Sequence, residues 1–267
     1  MYKYEGLLIH QEFDEQGVIE IVDTEGVRAL HFGTSPRQSS MQLHAPNELH
    51  SLYVRSMMAW LLFKEKPEHV LMVGVGGGLL TKYLLYHFPD CQIKAIEFRQ
   101  AIIKIARRFF GLPRDPRLKV KIGDGALHIK QQSLQSPEQH DLIMIDAFDD
   151  EGMAESIQGV SLFAACKELL TDDGLLVINL WGTNKDLFKQ IAWEMGTTFD
   201  WKLLFLPVRG RGNVIGIAFA SGHSVFSMQA LRKRARQLDE QYHIEFLNFI
   251  KDLKRNNGSV LNRVIKA

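Results

Sequence analysis

The stretch from residue 70 to residue 78 reads VLMVGVGGG and decides the fold class. Its first four residues form an apolar run typical of a buried β-strand, and a cluster of glycines follows directly. Glycine accepts backbone conformations that other residues avoid, so the chain can turn sharply and pass close to a ligand. The next residues, LLTKYLLYHF, are typical of a helix. We therefore predict a strand, a tight turn and a helix whose N-terminus faces a ligand.

The spacing of these glycines distinguishes three kinds of nucleotide-binding turn. A dinucleotide fingerprint needs its third glycine at position 79, which is Leu79. A phosphate-binding P-loop needs a Lys followed by Ser or Thr, and no such pair follows the turn. Gly74, Gly76 and Gly78 instead match the pattern GxGxG of the nucleoside-binding turn in AdoMet-type transferases. The turn therefore indicates an AdoMet-like ligand.

Strand-like and helix-like segments alternate from residue 67 to about residue 200. Such alternation predicts an α/β fold with a mostly parallel sheet wound on both faces by helices. Two further strand-like runs after position 201 flank a turn at residues 209–212, which predicts a C-terminal antiparallel hairpin. We expect a small N-terminal β-hairpin domain over residues 1–46. A Rossmann-like AdoMet-transferase domain with a helical tail would then cover residues 47–267.

Acidic residues end three of the predicted parallel strands. The second strand of the series ends at Glu97, the third unit leads into Asp124 and Gly125, and the fourth strand ends at Asp146. The carboxyl ends of parallel strands meet at one edge of the sheet and form its ligand crevice. A single acid at such a place is often only a helix cap. The ordered series of a glycine turn and three acids therefore carries the prediction of a nucleoside site.

Length, composition and charge exclude several other classes of protein. The chain has 267 residues, of which 46% are hydrophobic, and its net charge is +1, which argues against a disordered chain. Near-neutrality also argues against a nucleic-acid partner that covers the surface. The two cysteines lie 75 positions apart and form neither a metal-binding pattern nor a disulfide framework. We expect a reduced, cytoplasmic protein that has no metal site and no membrane span.

Three stretches resemble the spermidine synthases and their methyltransferase-like relatives. The stretches are VLMVGVGGG at 70–78, IKAIEFRQAIIKIARRFF at 93–110 and GLPRDPRLKVKIGDG at 111–125, and the third is the most specific. The resemblance implies an N-terminal β-hairpin domain, a Rossmann-like domain and a sulfonium nucleotide as co-substrate. This co-substrate is either AdoMet or decarboxylated AdoMet. The family also implies a homodimer formed through the N-terminal region.

The resemblance assigns roles to residues of this chain. It implies that Glu97 binds the ribose and that Asp124 and Gly125 bind the adenine. Asp146 occupies the position of the family's catalytic acid. Tyr53, in the segment LYVRSMM, is similar to the tyrosine that lines the substrate pocket.

The chain also departs from the family pattern. Gly77 stands where the first turn of spermidine synthases has an acid, and Val54 and Arg55 follow the tyrosine in place of polar and acidic residues. In the loop after Asp146 the acid at Asp149 is retained, but the family's prolines are missing. The absence of an acid at Gly77 and the presence of a cation at Arg55 would both suit the carboxylate of intact AdoMet. We include Tyr53, Arg55 and Asp149 as substrate-binding candidates.

These patterns predict a transferase that alkylates an amine, either of a small molecule or of a side chain. Residues 141–166 contain six acids and neither Lys nor Arg, which favours a cationic substrate. Asp146 is the candidate that orients the amine and accepts its proton. We favour methyl transfer. The alternatives are a polyamine aminopropyltransferase that makes spermidine from putrescine, and a non-catalytic nucleotide-binding homologue.

Overall fold

The computed structural model describes residues 4–135, 138–147 and 159–266. Its strands are β1 (Leu7–Asp14), β2 (Gly17–Thr24), β3 (Val27–His31), β4 (Ser39–Gln42), β5 (His69–Val73), β6 (Gln92–Glu97), β7 (Leu118–Ile122), β8 (His140–Ile145), β9 (Leu170–Trp181), β10 (Leu203–Pro207), β11 (Asn213–Phe219), β12 (Phe226–Ser227) and β13 (Ile265–Lys266). Its helices are α1 (Leu52–Met57), a 3₁₀-helix (Met58–Leu62), α2 (Leu79–His87), α3 (Gln100–Phe109), α4 (Gly125–Gln135), α5 (Val160–Leu169), α6 (Lys185–Thr198), α7 (Met228–Tyr242), α8 (Phe246–Asn256) and α9 (Leu261–Val264).

A seven-stranded sheet forms the centre of the fold, in the order β10-β11-β9-β8-β5-β6-β7. Strands β5 to β9 run parallel to one another, whereas β10 and β11 are antiparallel additions beside β9. The predicted doubly wound α/β fold with a C-terminal antiparallel hairpin is therefore confirmed. From β5 the sheet grows to one side through β6 and β7 and to the other side through β8 and β9, so the strand order reverses between β5 and β8. Such a topological switch point opens a crevice at the carboxyl ends of the strands.

Both faces of the central strands are covered, which explains why their sequences are almost continuously apolar. On β8, Leu142 and Met144 contribute to one hydrophobic core, and Ile143 and Ile145 to the other. Side chains alternate along a strand, so one apolar run supplies both cores. One core includes residues of α2, α3, α7 and α8, and the other includes residues of α4, α5 and α6.

The N-terminal region is larger than a hairpin. Strands β1 to β4 form a four-stranded antiparallel sheet in sequence order, and the predicted hairpin is its β2–β3 pair. The sheet has two further strands because β1 and β4 pair with β2 and β3, respectively. The division of the chain at residues 46 and 47 stays a prediction. In the described part of the chain, no helix is long and apolar enough to cross a membrane.

Arg99 attaches the N-terminal sheet to the central domain. Its guanidinium is only 8% exposed and donates two hydrogen bonds to the Asp14 carboxylate, at 2.7 and 3.0 Å. It donates a third to the Gly17 carbonyl and lies over the ring of Phe32. Two parallel bonds from a buried guanidinium fix orientation as well as distance. This contact therefore sets how β1 and β2 lie on the end of β6.

We expect Arg99→Met to lower the free energy of unfolding by about 2 kcal/mol, because it removes a buried guanidinium whose bonds to Asp14 and Gly17 are shielded from water. Arg209→Met is the matched control, since Arg209 makes the same pair of bonds to Asp252 but is largely exposed. We expect little change in that variant because water screens an exposed ion pair. Urea denaturation measures both variants, and equal losses would contradict the role of Arg99.

Candidate active site

The glycine turn between β5 and α2 adopts the conformation that its sequence predicts. Gly74, Gly76 and Gly78 all have positive φ angles, of 81°, 53° and 75°. A Cβ atom on Gly74 would lie 2.1 Å from the carbonyl oxygen of Asp146, which excludes any side chain there. The N–H of Asp146 in turn donates to the Val73 carbonyl at 2.8 Å. The turn therefore packs directly against the end of β8.

Glu97, the last residue of β6, organises this turn. Its Oε2 accepts the N–H groups of Val75 at 2.8 Å and Gly76 at 3.4 Å, and its Oε1 accepts the N–H of Arg99 at 2.9 Å. Burial raises the pKa of Glu97, and these three donors oppose that shift by favouring the charged form. A carboxylate has about four acceptor positions, so Glu97 can accept one further donor.

All four backbone N–H groups of residues 75–78 are bonded within the protein. Two donate to Glu97, the third, from Gly77, donates to Ser39 Oγ at 2.9 Å, and the fourth, from Gly78, donates to the Val75 carbonyl at 2.8 Å. The turn thus has no backbone donor left over for an anionic ligand group.

Asp124 and Gly125 lie where α4 begins, at the carboxyl end of β7. Asp124 Oδ1 accepts the N–H of Leu127 at 2.9 Å, so this oxygen caps the helix. A Cβ atom on Gly125 would lie 2.3 Å from Val73 Cγ1, which shows how closely α4 approaches the end of β5. A contact between Asp124 and adenine stays a prediction, and the capping oxygen is already occupied.

Asp146 follows β8 and lies half-buried beside the turn. Its Oδ1 accepts a hydrogen bond from Asn179 Nδ2 at 2.9 Å, and Asn179 is itself almost fully buried on β9. Burial raises the pKa of Asp146 to about 6, while the bond from Asn179 opposes the shift. The carboxylate is therefore mostly ionised at neutral pH but is a stronger base than an ordinary Asp.

Tyr53, on α1, shares a crevice with Asp146. Its hydroxyl donates to the carbonyl of Gln38 at 3.1 Å. Burial raises the pKa of Tyr53 well above its usual value, and the charge of Asp146 raises it further, so the phenol stays neutral. The crevice is lined by Ser39, Tyr53, Val54, Gly74, Val75, Leu79, Leu80, Thr81 and Asp146.

Ser39 connects the N-terminal sheet to this crevice, and sequence reasoning missed it. It lies on β4, it is 8% exposed, and it accepts the N–H of Gly77. A Cβ atom on Gly77 would lie 3.0 Å from Ser39 Cβ and 3.2 Å from the Phe110 ring. The space that a side chain at position 77 would need is therefore largely filled by these two residues.

Arg55 is not among the described residues that line the crevice, and its role as a substrate-binding residue stays a prediction. Its guanidinium is paired with Glu245, with Nη2 and Oε1 3.1 Å apart. Glu245 lies 190 positions away, at the start of α8, and this distance in the chain hid the pair from sequence reasoning. Asp149 lies outside the residues that the structure describes, as do the other acids of its loop up to Glu155.

Two apolar side chains at the carboxyl edge were also missed. Phe98 directly follows Glu97 and is 57% exposed, while Ile122, the register partner of Glu97 on β7, is 43% exposed. Large apolar groups exposed at this edge of the sheet suit the flat face of a base. Within the three described ranges, no group of three or more His, Cys, Asp or Glu residues could hold a metal ion.

Comparison with known proteins decides the family. Residues 50–227 match the spermine/spermidine synthase domain. The chain belongs to the spermine/spermidine synthase family. A polyamine aminopropyltransferase from Chromobacterium violaceum is 32% identical to this family member over 248 residues, which cover 92% of this chain and 93% of the relative. The chain is thus a spermidine synthase-like enzyme of the AdoMet class of alkyltransferases.

Solved structures show the same fold. A spermidine synthase in complex with the transition-state analogue AdoDATO superposes with a TM-score of 0.70 at 16% identity, covering 94% of this chain and 88% of that one. Human methyltransferase-like protein 13, in complex with SAH, superposes with a TM-score of 0.67 at 24% identity, covering 73% and 93%. Membership of the spermine/spermidine synthase family supports an AdoMet-type co-substrate. The full-length similarity to an aminopropyltransferase favours the alternative of aminopropyl transfer over our preference for methyl transfer.

We expect Gly74→Ala to lower the free energy of unfolding by about 3 kcal/mol, because the added methyl group meets the Asp146 carbonyl. Gly210→Ala is the control, since Gly210 also has a positive φ, of 67°, but its Cβ would meet nothing within 4 Å. That variant should lose only about 1 kcal/mol from backbone strain.

Calorimetric binding of methylthioadenosine gives the second measurement on these two variants. Gly74→Ala should bind the nucleoside at least about tenfold more weakly, which is 1.4 kcal/mol, and Gly210→Ala should bind it as the wild type does. Equal stability and equal binding in both variants would show that the turn is not a closely packed ligand site.

Proposed function

We propose that the protein is a polyamine aminopropyltransferase, which transfers the aminopropyl group of decarboxylated AdoMet to an amine of a diamine. One observation carries the choice between the two sulfonium compounds. The N–H groups of residues 75–78 are all bonded, and among the described residues the crevice lining contains one acid, Asp146, but neither Lys nor Arg. Intact AdoMet differs from the decarboxylated form by its carboxylate, and the described lining offers that carboxylate neither Lys nor Arg as a partner, which supports the decarboxylated form.

The reaction forms a C–N bond and breaks a C–S bond. The lone pair of the acceptor amine attacks the aminopropyl carbon beside the sulfonium, and the C–S electron pair returns to sulfur, which leaves as neutral methylthioadenosine. The nitrogen becomes positive as the new bond forms, and its proton passes to the Asp146 carboxylate. The leaving group needs no acid, so the protein contributes alignment of amine, carbon and sulfur, and it supplies the base.

The other predicted residues fit this assignment. Glu97 has one acceptor position left for a ribose hydroxyl. Phe98 and Ile122 flank the edge at which Asp124 and Gly125 would hold the adenine. Tyr53 stays neutral and forms a wall of the crevice beside Asp146. A cytoplasmic location, predicted from the cysteine pattern, and a homodimer, implied by the resemblance, both stay predictions.

Methyl transfer is the second candidate, because Gly77 carries no side chain to recognise an amine. The structural likeness to human methyltransferase-like protein 13 shows the fold alone and does not separate the two reactions. The same enzyme preparation can be tested for both.

We expect the protein to bind decarboxylated AdoMet at least about tenfold more tightly than AdoMet, a difference of 1.4 kcal/mol or more. Calorimetry measures both constants, and mass spectrometry of the products with putrescine should show spermidine and methylthioadenosine. Tighter binding of AdoMet, with formation of a methylated amine, would overturn the proposal in favour of methyl transfer. Binding of neither compound would leave the non-catalytic alternative.

Asp146→Asn is expected to lower kcat by about 10² to 10⁴-fold, because the amide cannot accept the amine proton. In the wild type, kcat/KM should fall as the pH drops through about 6, since protonation of Asp146 removes the base. The variant should lack this acid limb. Asp186→Asn, at an almost fully exposed acid, is the control and should match the wild type. An unchanged rate in Asp146→Asn would exclude the assigned role.

A further inference from the structure

Asn213, the first residue of β11, connects to Asp146 through one intermediate side chain. Its Nδ2 donates to Asn179 Oδ1 at 3.0 Å, and Asn179 Nδ2 donates to Asp146 Oδ1 at 2.9 Å. The three side chains come from β11, from β9 and from the residue that follows β8, and two hydrogen bonds connect them in series. None of the crevice-lining residues comes from β11, so Asn213 acts from outside the crevice.

The register of the sheet creates this line. Strand β9 lies between β8 and β11, and Asn213 stands opposite Trp181, two residues beyond Asn179 on β9. Side chains two residues apart on a strand share a face of the sheet. Asn179 is 3% exposed, so bulk water cannot replace either of its partners. The antiparallel hairpin of β10 and β11 is what brings an amide donor to this position.

The bonds to Asn213 and to Asp146 together set which end of the Asn179 amide faces the carboxylate. An Asn side chain has an oxygen that accepts and an NH₂ group that donates. With its oxygen held by Asn213, the NH₂ group of Asn179 faces Asp146. A rotated amide would place two acceptors against each other and leave buried polar groups unpaired.

We propose that Asn213 is a positioning residue of the transferase, acting through Asn179 to keep the Asp146 carboxylate oriented and ionised. This inference rests on the proposed function, because the orientation of the Asp146 carboxylate matters when that group accepts a proton from the substrate amine. With Oδ1 held by Asn179, Oδ2 is the oxygen that receives the proton. A hydrogen bond to the ionised form favours that form, and the donor from Asn179 thereby opposes the effect of burial on Asp146.

The test uses Asn213→Leu, which keeps the shape of the side chain but removes the donor without adding charge. We expect kcat to fall at least about tenfold, the KM for the sulfonium compound to change less than about twofold, and the acid limb of kcat/KM to move up by roughly one pH unit. Asn213→Ser retains a hydroxyl donor and should recover part of the rate. Asn256→Asp, on the exposed surface of α8, should leave all three quantities unchanged.

Two results would overturn the proposal. One is a wild-type kcat and acid limb in Asn213→Leu. The other is a loss of the same factor when Asn213→Leu is combined with Asp146→Asn, because a residue that acts through Asp146 has nothing to position once that carboxylate is gone.

A measurement without substrate separates this proposal from the proposed function. Difference infrared spectroscopy between the wild type and Asp146→Asn follows the titration of the Asp146 carboxyl group directly. If the protein fails to transfer an aminopropyl group but Asn213→Leu still raises this pKa, the proposed function fails and the positioning role stands. If aminopropyl transfer occurs and the pKa does not move, the positioning role fails and the function stands.

Discussion

The carboxylate of Glu97 holds the nucleotide end of this molecule together. It accepts the N–H groups of Val75 and Gly76 in a turn where three glycines have positive φ angles, and it accepts the N–H of Arg99. The guanidinium of the same Arg99 holds Asp14 of the N-terminal sheet. One short segment at the end of β6 therefore fixes the turn and docks the sheet. Without this carboxylate, buried backbone donors would be left unpaired.

This arrangement determines the electrostatic character of the crevice. Helix N-termini and glycine turns ordinarily offer N–H groups to an anion. Here Glu97, Ser39 and the Val75 carbonyl accept the four N–H groups of residues 75–78, which form the glycine turn. The crevice consequently presents a partly buried carboxylate, at Asp146, and a neutral phenol. A partly buried carboxylate with neither Lys nor Arg among the described lining residues favours a cation.

Sequence reasoning predicted the parts of the site that follow from the chain direction. Glu97, Asp124 and Asp146 end or follow parallel strands, and parallel strands bring their carboxyl ends to one edge. Contacts across strands or between distant segments leave no local signal. Ser39 and Asn213 look like ordinary strand residues, and the partner of Arg55 lies in a helix 190 positions away. The N-terminal sheet was underestimated although Asp14-Glu15-Gln16-Gly17 repeats the Asp-x-x-Gly pattern of the β2–β3 turn, because the prediction used only the second of these turns. Strand β4 follows β3 only after residues 32–38, so no short turn marks that pair.

Gly77 shows how a missing side chain can be part of a larger contact. Ser39 and Phe110 approach this glycine so closely that a Cβ atom would lie 3.0 and 3.2 Å from them. Ser39 also accepts the Gly77 N–H, so the N-terminal sheet touches the turn through both packing and a hydrogen bond. A position used for docking cannot also carry an acid that recognises an amine. Recognition of the amine then depends on the other side of the crevice. There the Asp146 carboxylate is held by the two hydrogen-bonded asparagine side chains of β9 and β11.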